Sequence, residues 1–192
     1  MILLILGLAL FLGAHSVRIF ADSARSAFIA RRGDRAWKGL YALASAIGLI
    51  LIIVGYARAR GGDALYVPPP SLKHLTFVLV WLGFVLTAAS NGPANHIRSL
   101  LRDPMVIGVG LWALGHLLVK ATPAAVALFG AFLVWAVLDL ISVRRRASAA
   151  PSADAAPPKA LATAISVILG TVLWAVFALF LHRWLIGVAP LG

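Results

Sequence analysis

Six stretches of this chain run for about the length of a bilayer crossing with almost no charge. They are Met1 to Phe20, Trp37 to Tyr56, Lys73 to Ser90, Pro104 to Lys120, Ala124 to Val143 and Leu161 to Leu181. A helix rises about 1.5 Å per residue, so roughly 20 apolar residues span the hydrocarbon core. A soluble domain has no interior large enough for six such runs. The chain is 62% hydrophobic and 12% charged, against roughly half and a quarter in soluble proteins. The expectation is an all-α, polytopic membrane protein with about six transmembrane helices. Its first partner is the lipid bilayer.

The connections carry the charge. Ala21–Lys38, Ala94–Asp103 and Arg144–Lys159 hold Arg25, Arg31, Arg32, Arg35, Lys38, Arg98, Arg102, Arg144, Arg145, Arg146 and Lys159. The opposite set holds Arg58, Arg60, Lys73, Lys120 and Arg183. The positive-inside rule puts the richer set in the cytoplasm and both termini outside it, the periplasm for a bacterial inner membrane. The net charge of +11 is then a topology and headgroup signal, and no nucleic-acid partner is expected. Positive charge follows the first apolar run instead of preceding it, and no small-x-small cleavage site follows directly. That run reads as a retained helix and not as a signal peptide.

Asp22 to Ala36 reads as a basic loop, in part an interfacial helix. Arg58 to Leu72 contains Gly61-Gly62-Asp63 and Pro68-Pro69-Pro70, neither of which continues a helix. Pro104 is placed to open the fourth span and Pro123 the fifth, with Thr122 as its N-cap. Three units follow: a membrane domain over 1–146 with five spans, a mobile linker over 147–160 rich in Ala, Ser and Pro, and a last span within 161–192.

The chain has no cysteine, which excludes disulfide, thiolate and iron–sulfur chemistry. It has five histidines. His74, His96 and His182 fall near the expected membrane surfaces. His15 and His116 lie deeper, where an ionisable residue is a functional candidate because leaving it unpaired in lipid is costly. Gly7, Phe11 and His15 recur at i, i+4 and i+8, and so do Gly108, Trp112 and His116, with Gly115 beside them. Tyr41, Gly48 and Gly55 recur at i, i+7 and i+14. Small residues at this spacing let a flat group or another helix approach the backbone. Two buried histidines on different helices suit bis-histidine ligation of haem b, with Arg18, Arg98 and Arg102 as partners for the propionates. His15 stands about five residues from the inner end of its span and His116 about eleven, an offset under roughly 10 Å. Equally, the histidines would serve as hydrogen-bonding groups between helices, with the glycines as ordinary packing residues. Asp139, within the fifth span, would pair with Arg144 or with a cation of another span. Nucleophilic catalysis, a phosphate loop and a zinc cluster find no support in the residue pattern.

Several blocks together resemble the NnrU family of bacterial membrane proteins. They are His15-x-x-Arg18, Trp37 to Tyr41 (WKGLY) with Gly48 and Gly55, Asn95 to Arg98 (NHIR), and Arg102 to Leu117 with its Trp112-Ala113-x-x-His116 core. The resemblance runs to Arg146. It implies a protein linked to nitrite and nitric oxide metabolism, with a respiratory-chain partner or a small or lipidic substrate. It also implies kinship with 15-cis-zeta-carotene isomerase, a membrane haem b enzyme, and so a redox or isomerase-like activity with His116 and His15 as iron ligands. Ala113 stands where the isomerase has cysteine, and Asp103-Pro104 where it has His-Pro, so the resemblance favours a haem site over the same catalytic cycle. The alternative is an assembly or interaction protein without cofactor. A small transporter is disfavoured by the single intramembrane acid. The Arg102-x-Pro104 element also resembles the signature of membrane methyltransferases. Asp103 replaces its histidine and the later acidic residues are missing.

Overall fold

A computed structural model describes residues 1–149 and 157–190. The described residues form helices and connections, with no strand. The helices are α1 (Ile2–Phe20), α2 (Asp22–Arg32), α3 (Asp34–Ala59), α4 (Leu72–Asn91), α5 (His96–Leu101), α6 (Pro104–Val119), α7 (Pro123–Ala149), α8 (Ala160–Val176) and α9 (His182–Ile186). A π-helical turn, Phe177–Leu181, joins α8 to α9, so the last span is continuous to Ile186. Five helices are long and apolar enough to cross a membrane, and α6 is a shorter apolar one. The chain is a multi-pass membrane protein. The span expected to stop at Leu181 and the one expected to stop at Val143 both continue further. Asp22 to Ala36 is helix for most of its length, divided by Gly33. The expected linker over 147–160 lies partly outside the described residues.

The spans pack in the order α3, α1, α7, α6, α4, α8. Lipid tails are as apolar as leucine, so helices in a bilayer associate through close packing and not through the hydrophobic effect. The sequence supplies glycine where two backbones meet. A Cβ at Gly55 would lie 2.3 Å from the Leu4 nitrogen of α1, and one at Gly7 would lie 2.6 Å from the Ile52 nitrogen of α3. On the other side Gly83 of α4 faces Gly108 of α6, and a Cβ on either would come within 2.9 Å of the other's carbonyl oxygen. The glycine rows at helical spacing therefore seat helices. Outward faces remain apolar, as with Leu40, Leu43, Ile47, Ile50 and Ile53 on α3, which is the surface lipid requires.

The junction between α4 and α6 is polar and closed. Asn95 is 1% exposed. Its Nδ2 donates to the Ala89 and Pro93 carbonyls, and its Oδ1 accepts the Arg98 N–H at 2.9 Å as the N-cap of α5. The start of α8 is pinned to the same turn. Lys159 N–H donates to the Ala94 carbonyl, and Thr163 Oγ1 accepts the His96 N–H at 3.0 Å. The NHIR block is thus a structural knot. Asp103 then caps α6 through the Val106 N–H, Pro104 is its first residue, and Thr122 caps α7 through the Ala125 N–H.

Two stability predictions follow from this packing. Gly55→Ala should destabilise the protein in detergent by about 1–3 kcal/mol, because a rigid backbone meets the new carbon. Gly13→Ala, with open space at that position, should leave the thermal unfolding midpoint unchanged. Asn95→Ala should cost about 1–3 kcal/mol through orphaned buried backbone groups, whereas Arg98→Ala, at an exposed position, should have little effect in the same melting assay.

Candidate functional site

Both deep histidines are held in the same way. His15 Nδ1 lies 2.7 Å from the Phe11 carbonyl and His116 Nδ1 lies 2.8 Å from the Trp112 carbonyl, each one turn back on its own helix. A carbonyl only accepts, so Nδ1 carries the hydrogen in each neutral ring, and Nε2 keeps a free lone pair. This arrangement fixes the tautomer and the ring orientation, as a backbone carbonyl does for ligating histidines. It also answers half of each imidazole's hydrogen-bonding need inside the membrane. The other half is left to whatever meets Nε2.

The surroundings of the two rings differ. His15 stacks on Phe11 with centroids 4.2 Å apart and meets Tyr41 at 5.1 Å and Trp135 edge-on at 6.0 Å. The Trp135 indole N–H is buried without an acceptor among the described residues. His116 stacks on Phe129 at 4.6 Å. Phe129 and Trp135 are six residues apart on α7, so the two imidazoles differ in depth by about 9 Å. An aromatic ladder occupies the interval: Phe11 to Phe132 at 5.8 Å, Phe132 to Trp112 at 5.5 Å and Trp112 to His116 at 5.2 Å.

The donor chemistry of His15 and His116 therefore suits an iron ligand, but the two do not share an open space. Phe11, Phe132 and Trp112 fill the interval that a porphyrin shared by the two would need. The arginines expected to meet its propionates are dispersed. Arg18 is exposed, and its carbonyl accepts from Arg146. Arg98, within α5, and Arg102, at its C-cap, are exposed. His116 is twelve residues along α6 from Pro104, about 18 Å away. Among the described residues no group of three or more His, Cys, Asp or Glu is placed to hold a metal ion. Asp139 pairs with Arg146, 3.7 Å away. Two turns of α7 separate the two residues, and Arg146 also donates to the Ser142 hydroxyl between them.

The open space lies on the other side of His116. A cavity of about 190 Å³ sits between α4, α6 and the last span. Phe77, Phe84, Trp112, Trp174 and Phe177 supply its aromatic walls. Its polar side chains include Thr76, His116 and His182. Thr76 Oγ1 lies 3.0 Å from the Leu72 carbonyl and 2.9 Å from that of Gly115, which occupies its hydrogen. Leu65 N–H donates to the Ala121 carbonyl, and the Tyr66 hydroxyl donates to the Leu117 carbonyl. The loop between α3 and α4 thereby ties down the end of α6 that carries His116. A second hollow, lined by residues of α1 and α3 such as Gly13, Val17, Trp37 and Tyr41, is wider and lies along their outer surface.

His182 is the functional candidate that sequence reading passes over. Its position at the end of a span explains a histidine without invoking a site. The available signal was its spacing from Trp174 and Ala178, but the intervening π turn cannot be read from residue identities.

A family model, described as NnrU protein, matches residues 3–190. The match passes beyond Arg146, where the motif resemblance ends, and takes in the last span with His182. No curated protein and no solved structure gives a match. With almost all of its length matched, the chain belongs to the NnrU family.

Proposed function

We propose that this NnrU protein binds a ring-bearing molecule drawn from the lipid phase in the cavity between α4, α6 and the last span, with His116 as its polar anchor. The observation that carries this reading is the single free imidazole nitrogen of His116 on an aromatic-walled space of ring size. A cavity near 150 Å³ with apolar walls is known to hold benzene, and this one is somewhat larger. Apolar walls supply affinity, and a few placed polar groups supply orientation. The charge asymmetry of the connections supports a bacterial inner membrane with both termini in the periplasm. Family kinship supports a setting in nitrite and nitric oxide metabolism.

Organic extracts of the purified protein, read by mass spectrometry, test the reading. Wild type should retain close to one equivalent of a ring-bearing lipid. His116→Leu should retain less than a tenth of that, and Ala178→Leu, which narrows the cavity, should also lose it. Extracts holding only phospholipid, alike in all three proteins, would refute the proposal.

A second reading is haem b ligated by His116 and His15, as the resemblance implies. The observation in its favour is the matched pair of Nδ1–carbonyl bonds, which leaves each Nε2 ready for iron, together with the unpartnered Trp135 N–H beside His15. When bound, haem would supply redox or isomerisation chemistry, and the chain's part would be to orient the two imidazoles and exclude water. A Soret band after haem-sufficient expression, lost in both His15→Ala and His116→Ala, is the expected result. A spectrum without that band rules this reading out.

A further inference from the structure

We infer that the cavity beside His116 is a two-histidine site, with His182 as the second polar anchor, and that it selects a hydroxyl-bearing ring such as a hydroquinone over the corresponding quinone. The inference rests on the proposed cavity reading and adds the ligand's chemistry to it.

The first observation is how His182 reaches the cavity. From Trp174 to His182 is eight residues, which in an unbroken α-helix leaves the two side chains about 80° apart around the axis. The π turn at Phe177–Leu181 adds fewer degrees per residue and brings His182 back towards the Trp174 face. Trp174, Phe177, Ala178 and His182 all line the cavity. Single π turns of this kind recur at functional positions.

The second observation is how His182 is held. Gly187 ends α9 with φ 77° and ψ 12°, a left-handed conformation that suits glycine. The chain then folds back, so that the Val188 carbonyl lies 2.6 Å from His182 Nδ1. Pro190 joins the cavity wall. Arg60, from the end of α3, donates to the Ile186 carbonyl and secures this return. In its neutral form His182 therefore carries its hydrogen on Nδ1, the same tautomer as His116, and Nε2 keeps a lone pair.

The third observation is the sum of these bonds. His116 and His182 each present an acceptor nitrogen, and Thr76 presents an oxygen whose hydrogen is spent on a backbone carbonyl. A ligand that brings hydrogen-bond donors satisfies these groups. One that brings only carbonyl oxygens leaves them unpaired and sets lone pair against lone pair. Sites built to hydrogen-bond a hydroxyl reject the analogue that lacks it more strongly than an apolar pocket rejects a change of size. A bare metal ion would meet two imidazoles and, among the described residues, no third ligand of the His, Cys, Asp or Glu kind.

Isothermal titration of the full chain in nanodiscs tests the inference, using three probes under anaerobic conditions. They are a decyl-substituted 1,4-benzohydroquinone, its quinone, and its dimethyl ether, which keeps the ring and removes the donors. The hydroquinone should bind at least tenfold more tightly than either of the others. His182→Phe should reduce that preference to less than threefold while leaving quinone binding within twofold of wild type. His74→Ala, at an exposed position, should leave all three affinities unchanged. Equal affinity for the three probes, or an unaltered preference in His182→Phe, would overturn the two-anchor inference while sparing the cavity reading. Failure of all three to bind would overturn both.

Discussion

Backbone contact between helices is the constraint on which the rest of this molecule depends. In lipid the spans gain nothing by hiding leucine from their surroundings, so geometry has to hold them. The contact of α1 with α3 at Gly7, Gly48 and Gly55, and that of α4 with α6 at Gly83 and Gly108, leaves no room for a side-chain carbon. α7 bridges the two pairs with small residues at its N-terminal end, where Ala124 and Ala125 are fully buried beside Leu4, Leu8 and Ala113. The last span is seated on α4 by the same device, since a Cβ at Gly170 would lie 2.5 Å from the Val85 Cα. The cavity survives where this packing stops. Beyond Gly170 the last span turns Trp174 and Phe177 to the cavity, and its π turn replaces regular helix.

The cost of placing imidazoles in such a bundle is met locally. A carbonyl one turn back accepts from Nδ1 of His15 and of His116, and the chain's own return loop does the same for His182. None of the three needs a charged partner for that half of the ring. The consequence is chemical, because each neutral ring is left as an acceptor at Nε2. Serving only as hydrogen-bonding groups between helices would give these rings a donor from a neighbouring span. Among the described residues, none of the hydrogen bonds at the three rings comes from one.

Much of this was legible in the residues. Periodic small residues, prolines at the first helical position and basic connections gave the spans and most of their limits. They could not say whether the glycine rows received a flat cofactor or another helix, because both need the same absence of side chain. His182 escaped because position near a surface is a sufficient explanation for a polar residue, and because a π turn changes angular register with no marker in composition. The Arg146 partner of Asp139 was not legible for a related reason. Arg144 is nearer in sequence, but the Arg146 guanidinium reaches back past Ser142 to the carboxylate.

The two sides of His116 now have distinct meanings. Towards α7 its ring lies almost parallel to Phe129, at 20°, and Ala113, on the same helix, is fully buried in the core with Ala124, Ala125 and Leu128. A larger side chain there would press on α7 and reach the aromatic ladder that separates His116 from His15. The alanine thus goes with a closed interface on that side. The open side is the one that faces Trp174 and His182. Ala113 and the aromatic ladder close one side of His116, and the last span provides the surface on which it remains accessible.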